Sequence, residues 1–270
     1  MKKFLIQVEE NGIPSYDFCH QMLIAKRFID WRFSLNTEFQ FIPVTGIHDI
    51  LDDPDSYIPI GSIEFVENFV RTNYGEAGLQ AITPVYPTQF ANPLNYRYLG
   101  GMGLYDKNSP YTIAQCMGKA PNRAFHLKNA KKLKHELNGE YNATNILKNR
   151  EAFDKLGEWY MGGCVYPLTE WRVFVFNGTI LDIKNYKGDP WIMPNKEVVE
   201  KMVKEYYDGG GNARAFTLDV GVDENDNSTK IVEFHEFYSC GLYGFDMYDK
   251  LPYMFSQQWA LVLQRIKSYL

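Results

Sequence analysis

Two hydrophobic periods alternate along the first ninety residues. Residues 4–8, 39–43 and 57–60 are short apolar runs that predict strands. Residues 16–33 carry Phe18, Met22, Leu23, Phe28 and Ile29 at helical spacing. Gly61-Ser62 opens a second helix over 63–72, with Ser62 as N-cap and Glu64 and Glu67 near its positive end. Strand and helix in turn predict a small α/β unit. Residues 83–104 are rich in Pro, Asn, Tyr and Gly, and a boundary there divides the chain into 1–95 and 96–270.

Beyond it, 124–127 reads as a short strand ending at Lys128. A basic stretch of Lys128, Lys131, Lys132 and Lys134 follows. It is either a solvated face or part of a basic groove. Residues 149–159 are expected to be helical. Residues 195–206 form an amphipathic helix with Val198, Val199, Met202, Val203 and Tyr206 on one face, ended by Gly209-Gly210-Gly211. A last amphipathic helix covers 256–269, with Trp259, Leu263 and Ile266.

Two hairpins carry the polar residues of interest. In the first, over 169–186, Asn177-Gly178 sits between alternating runs and predicts a two-residue turn. That turn pairs Phe176 with Thr179, Phe174 with Leu181 and Arg172 with Ile183. Glu170 and Arg172 share a face, and Lys184 falls on the opposite one unless a bulge intervenes. The Glu170–Arg172 pair is open to a purely structural reading, because such pairs are common on sheets. In the second hairpin, 216–222 and 230–236 flank a polar turn centred near Asp226. Val220 then faces Val232 and Leu218 faces Phe234 on the core side. Asp219 lies opposite Glu233, and Thr217 opposite His235. Directly opposed carboxylates sit ~5 Å apart and repel. Unless both are solvated on an open sheet face, one takes up a proton or a cation lies between them. Hard oxygen ligands on a rigid sheet suit Mg²⁺. His235 is either a third ligand or a hydrogen-bonding neighbour, and Glu236 points to the apolar side.

Composition narrows the classes. Hydrophobic residues make up 45% of the 270, and aromatics 16%, enough to fill a sizeable core and to exclude a disordered chain. The formal charge of −5 does not favour wholesale nucleic-acid binding. No apolar run approaches the length of a membrane span. The four cysteines, Cys19, Cys116, Cys164 and Cys240, form no C-x-x-C pair, so reduced thiols and a cytoplasmic setting are expected. Walker-type and G-x-G-x-x-G motifs are absent, which argues against P-loop or Rossmann chemistry.

A strand with Asp, a hairpin, then a strand reading Glu-x-Asn resembles the magnesium-binding pattern of ATP-grasp enzymes. Asp219 and Glu233-Phe234-His235 are similar to it. The segments 58–66, the strand around Lys128, 170–175, 218–222, 232–235 and Gly241-Leu242-Tyr243-Gly244 resemble, in that order, the phage-associated ATP-grasp clade with two arginines and a lysine (the R2K clade). The resemblance implies an α+β, ATP-grasp fold: two α+β subdomains clasp ATP behind a small N-terminal α/β unit. It implies Asp219 and Glu233 as Mg²⁺ ligands, with His235 standing where the pattern has Asn. Lys128 would lie near the α-phosphate or adenine, with Glu170 beside the nucleotide. Arg172 would lie near the γ-phosphate or substrate, with Arg214 as a second catalytic arginine. Lys184 is a weaker candidate for the clade's lysine. The loop Leu137-Asn138-Gly139-Glu140 is the one nearby candidate for a phosphate lid. The implied activity is Mg²⁺- and ATP-dependent ligation of a carboxylate to an amine through an acyl-phosphate, with release of ADP, on a peptide, a protein or a small metabolite. A nucleic-acid-modifying enzyme and a non-catalytic nucleotide-binding protein stand as alternatives.

Overall fold

Lys2–Gln7 forms the first strand, β1, because Phe4 and Ile6 bury completely on one side while its lysines stay near the edge. The computed structural model describes residues 1–34, 38–82, 110–130, 135–164 and 166–270. β1 pairs in parallel with β2 (Phe39–Val44) and β3 (Tyr57–Ile60), in the order β2-β1-β3. Helix α1 (Asp17–Arg32) follows β1 and α2 (Ile63–Gly78) follows β3. Ser62 caps α2 as expected, its Oγ accepting the Phe65 N–H at 3.1 Å. The small α/β unit is therefore present.

Among the strands of the second sheet the helices are short. The chain continues through β4 (Tyr111–Thr112), α3 (Ile113–Lys119), β5 (Phe125–Asn129), β6 (Gly139–Tyr141), α4 (Ala143–Leu147), α5 (Arg150–Lys155) and β7 (Glu158–Gly162). The strands pair antiparallel in the order β4-β7-β5-β6 around Ile113, Phe125, Leu127, Phe153 and Trp159. The helix expected over 149–159 stops at Lys155. Gly157, at φ +79°, turns the chain, and Trp159 enters a strand instead.

The last sheet runs β11-β10-β8-β9 from β8 (Pro167–Phe176), β9 (Thr179–Gly188), β10 (Ala215–Asp223) and β11 (Thr229–Glu236), all antiparallel. Helix α6 (Lys196–Asp208) covers one face with Val199, Met202, Val203 and Tyr206 against Val173, Val175, Phe216 and Leu218. Helix α7 (Leu251–Ser268) starts five residues before the expected 256, with Pro252 in its first turn. It packs on the N-terminal sheet: Trp259, Val262 and Ile266 share one core with Phe4, Met22 and Phe69, and with Phe174 from β8. The boundary expected in 83–104 lies outside the described residues.

Both hairpin registers depart from strict alternation. Asn177 and Gly178 take φ +47° and +79°, as a tight two-residue turn requires, and Phe176 faces Thr179. A bulge at Leu181 then slips the pairing by one, so Phe174 faces Asp182 and Arg172 faces Lys184. Lys184 is therefore opposite Arg172, not on the other face. The bulge lets Ile180 and Ile183 both reach the α6 side while Leu181 joins the core on the other. In the second hairpin, Asp219–Glu233, Thr217–His235 and Leu218–Phe234 pair as expected. Val220 faces Ile231, because Val232 is extruded in a bulge.

Candidate nucleotide and metal site

The face of the β8–β11 sheet away from α6 is divided. Toward the Asn177 end it carries Phe174 and Ala215, which enter the core beneath α7. Toward the other end it carries Glu170, Arg172, Asp219, Glu233 and His235, brought side by side by the pairing of β8, β10 and β11.

Arg172 and Asp219 are opposite one another on adjacent strands and both are buried. The guanidinium is bidentate: Nε donates to Oδ1 and Nη2 to Oδ2, each at 2.7 Å. Nη1 donates to the Gly241 carbonyl at 2.8 Å. The ring of Tyr243 lies 4.9 Å from the guanidinium carbon and that of Tyr186 at 5.8 Å, with the two rings stacked 4.7 Å apart. The Tyr186 hydroxyl donates to Glu170 Oε2 at 2.7 Å and lies 3.3 Å from Asp219 Oδ2. Burial and the neighbouring Asp219 and Glu170 carboxylates push the Tyr186 phenol up, so it is a donor here. Lys187 pairs with the remaining Glu170 oxygen.

Glu233 has basic neighbours in two directions. Lys128 reaches it from β5, in the other sheet, and His235 Nε2 lies 3.0 Å from Oε2. Burial alone would raise the Glu233 carboxyl, but His235 and Lys128 outweigh it and hold the group well below 4.5. The opposed acids are thus not bare. Arg172 balances one and Lys128 with His235 the other, an answer to the charge problem that strand pairing alone did not reveal.

Asp219, Glu233 and His235 each offer a ligand atom, and these atoms lie within 4.8 Å of one another. Donors across a single Mg²⁺ sit about 4 Å apart, so the set fits a divalent ion after a small adjustment. Its two carboxylates are hard ligands; the imidazole is softer.

Other expected residues lie elsewhere. Arg214 precedes β10 at the Asn177 end, its side chain exposed on a separate cleft of about 850 Å³ beside Gly178 and Tyr207. It is not brought to the acidic cluster. Lys184 sits opposite Arg172 but pairs with Asp182 at 2.9 Å. Of the Leu137–Glu140 loop, Gly139 and Glu140 belong to β6, paired with β5, and Asn138 accepts the Asn129 N–H at 2.8 Å. Lys131, Lys132 and Lys134 lie outside the described residues. Sequence reasoning does not reach Tyr186, Lys187 or the individual contacts of Gly241 and Tyr243. Residues 241–244 enter it only through the resemblance. Among the described residues no helix is long and apolar enough to cross a membrane.

The fold resembles that of the ATP-grasp ligase PsnB, solved with a minimal precursor. The match covers 97% of this chain and 99% of that one, at 11% identity and TM-score 0.51. D-cycloserine synthetase DcsG matches over the same shares at 12% identity and TM-score 0.53. At such identities the likeness shows the fold: ATP-grasp, α+β. A sequence comparison with curated proteins returns no match. The model of the ATP-grasp domain, R2K clade family 2, matches residues 112–251, which include β5 with Lys128 and the whole of the β8–β11 sheet. By that match over half its length, this chain belongs to the R2K clade of ATP-grasp proteins.

Proposed function

We propose that the protein is an ATP- and Mg²⁺-dependent carboxylate–amine ligase that forms an acyl-phosphate and releases ADP. The observation that carries the reading is the composite cluster: buried Asp219 on β10 and half-buried Glu233 on β11, flanked by Arg172 from β8 and by Lys128 from the facing sheet. A triphosphate needs cations on more than one side, and a metal needs acids between them. Family membership supports the same reading.

In this account Asp219 and Glu233 hold the metal, with His235 as a third ligand or as the group that orients Glu233. The ion, when bound, offsets phosphate charge and polarises the γ-phosphoryl group. Arg172 and Lys128 bind phosphate oxygens, and Glu170 with Tyr186 keeps the Arg172 end of the site ordered. A carboxylate oxygen of the acid substrate attacks the γ-phosphorus and the bond to the bridging oxygen breaks, leaving ADP. The amine then attacks the acyl carbon, inorganic phosphate departs, and the nitrogen loses a proton. The apolar rings of Tyr186 and Tyr243 limit water at Arg172, which strengthens its electrostatic contribution.

Arg214 and Lys184 are assigned no phosphate contact. Arg214 stands at the other end of the sheet, and Lys184 is paired with Asp182. The test is product analysis with a panel of acids and amines. ADP and phosphate in equal amounts with the amide support the mechanism, whereas stoichiometric AMP contradicts it.

A further inference from the structure

Asp17 is the first residue of α1, far from the β8–β11 sheet in sequence. Its Oδ1 accepts the Phe18 N–H at 2.7 Å. Its Oδ2 accepts two more backbone amides, Leu242 N–H at 2.7 Å and Tyr243 N–H at 3.0 Å. Those amides belong to the segment after β11 that gives Arg172 its third hydrogen bond, to the Gly241 carbonyl, and its aromatic cover, the Tyr243 ring. Tyr243 holds φ +48°, a left-handed conformation that a non-glycine residue keeps only where its surroundings over-determine it.

The rest of the segment is also seated on the N-terminal unit. The Ser239 hydroxyl donates to the Gly61 carbonyl at 2.9 Å, and that of Tyr238 to the Ile82 carbonyl at 3.4 Å. Cys240 and Leu242 are buried in the N-terminal core. This is where the C-terminal ends of β1 and β3 meet the N-terminal ends of α1 and α2. Open α/β sheets ordinarily receive ligands at such ends. Here Gln7 fills the position from within. Its Oε1 accepts the Ser62 N–H at 2.8 Å, and a Cβ on Gly61 would fall 2.5 Å from the same atom. Residues 238–243 cover it from outside.

We propose that Asp17 is a positioning residue for Arg172, acting through the Leu242 and Tyr243 amides to set the Gly241 carbonyl and the Tyr243 ring against the guanidinium. The N-terminal unit thereby fixes Arg172 from the C-terminal ends of its own strands. The functional consequence rests on the proposed role of Arg172; the positioning itself does not.

Asp17 is exposed, so its replacement removes little packing. The experiment compares wild type, Asp17→Ala, Asp17→Asn, Arg172→Lys and the double variant Asp17→Ala/Arg172→Lys. Solution NMR follows hydrogen exchange of the Arg172 Nη1–H that donates to the Gly241 carbonyl, identified by its loss in Arg172→Lys. The indole N–H of Trp159, bonded to the Phe153 carbonyl, reports on folding. Asp17→Ala is expected to speed exchange at Arg172 about tenfold or more, the change a lost bond of about 1.4 kcal/mol would give. Asp17→Asn, which retains one acceptor oxygen, should do so less, and Trp159 should be unaffected. An unchanged Arg172 signal in folded Asp17→Ala or Asp17→Asn overturns the proposal. A second readout is the Mg-ATP-induced rise in melting temperature. Asp17→Ala should reduce it in the Arg172 background and add little in the Lys background, because residues acting through one another are non-additive. Equal losses in both backgrounds also overturn it. Faster Arg172 exchange with Mg-ATP binding unchanged in every variant supports the positioning and instead refutes the nucleotide role of Arg172.

Discussion

Replacing Arg172 by Met removes the charge partner of a carboxylate that is only 3% exposed. Two 2.7 Å charge-assisted bonds to Asp219 disappear, and what remains near Oδ2 is the neutral Tyr186 hydroxyl at 3.3 Å. Leaving one member of a buried pair without its partner costs about 3–5 kcal/mol. The Tyr186 hydroxyl moderates the loss, so a value near ~3 kcal/mol is expected by the same reasoning. For a chain of this size that is a fall in melting temperature of roughly 5 °C. The companion variant Arg172→Met/Asp219→Leu removes both charges and should recover most of the loss, since replacing a buried pair by apolar groups is often neutral. Urea unfolding followed by circular dichroism gives the three free energies. A single variant within about 1 kcal/mol of wild type would refute the buried-pair reasoning, as would a double variant less stable than the single.

Glu233 gives a pH test. Its folded-state acidity is held well below 4.5 by His235 and Lys128 against the opposing effect of burial. A depressed folded value adds stability that is fully present above the ordinary value and is lost as pH falls through the lower one. The stability gap between wild type and Glu233→Gln should therefore be widest above 4.5 and close on acidification below it; a gap that stays constant there contradicts the ion pairs. The thiols give another. Burial pushes Cys19, Cys116 and Cys240 up to about 12, while Cys164 is only half-buried. Titration of the native protein with a disulfide reagent near neutral pH should label Cys164 first, with the other three released on unfolding; rapid labelling of Cys240 would contradict the seating of the 238–243 segment.

Much of the site was legible because one feature survived the bulges in the two hairpins. Asp219 and Glu233 are opposed because a turn centred on Asp226 already counts the extra residue, Val232, so that only the pairs on the turn side of the bulge, from Val220–Ile231 onward, are displaced. The apolar pattern around Leu218 and Phe234 fixed the face. In the first hairpin the bulge falls between the turn and the polar pair, so counting from Asn177-Gly178 carried the error to Arg172 and put Lys184 on the wrong side. A trace of each bulge is present in the sequence. Ile180 and Ile183, and likewise Ile231 and Phe234, are three apart yet face the same helix, which strict period two forbids. The Arg172–Asp219 and Lys128–Glu233 pairs were beyond reach, because one depends on pairing between β8 and β10 and the other on the approach of two sheets. The contribution of Asp17 depends on packing of an N-terminal helix against a segment more than two hundred residues later. No local periodicity encodes that contact.

The most direct measurement is the melting temperature of wild type and Asp219→Asn, each with and without Mg-ATP. Nucleotide at 100-fold above its Kd should add about 2.7 kcal/mol to the wild type. Asp219→Asn lowers the starting stability by weakening the Arg172 pair, so the quantity compared is the rise on adding ligand. A rise in wild type that requires magnesium and is lost in Asp219→Asn is the predicted result. No rise in wild type at millimolar nucleotide, or an equal rise in the variant, would contradict the assignment of Asp219 to the metal and with it the proposed site.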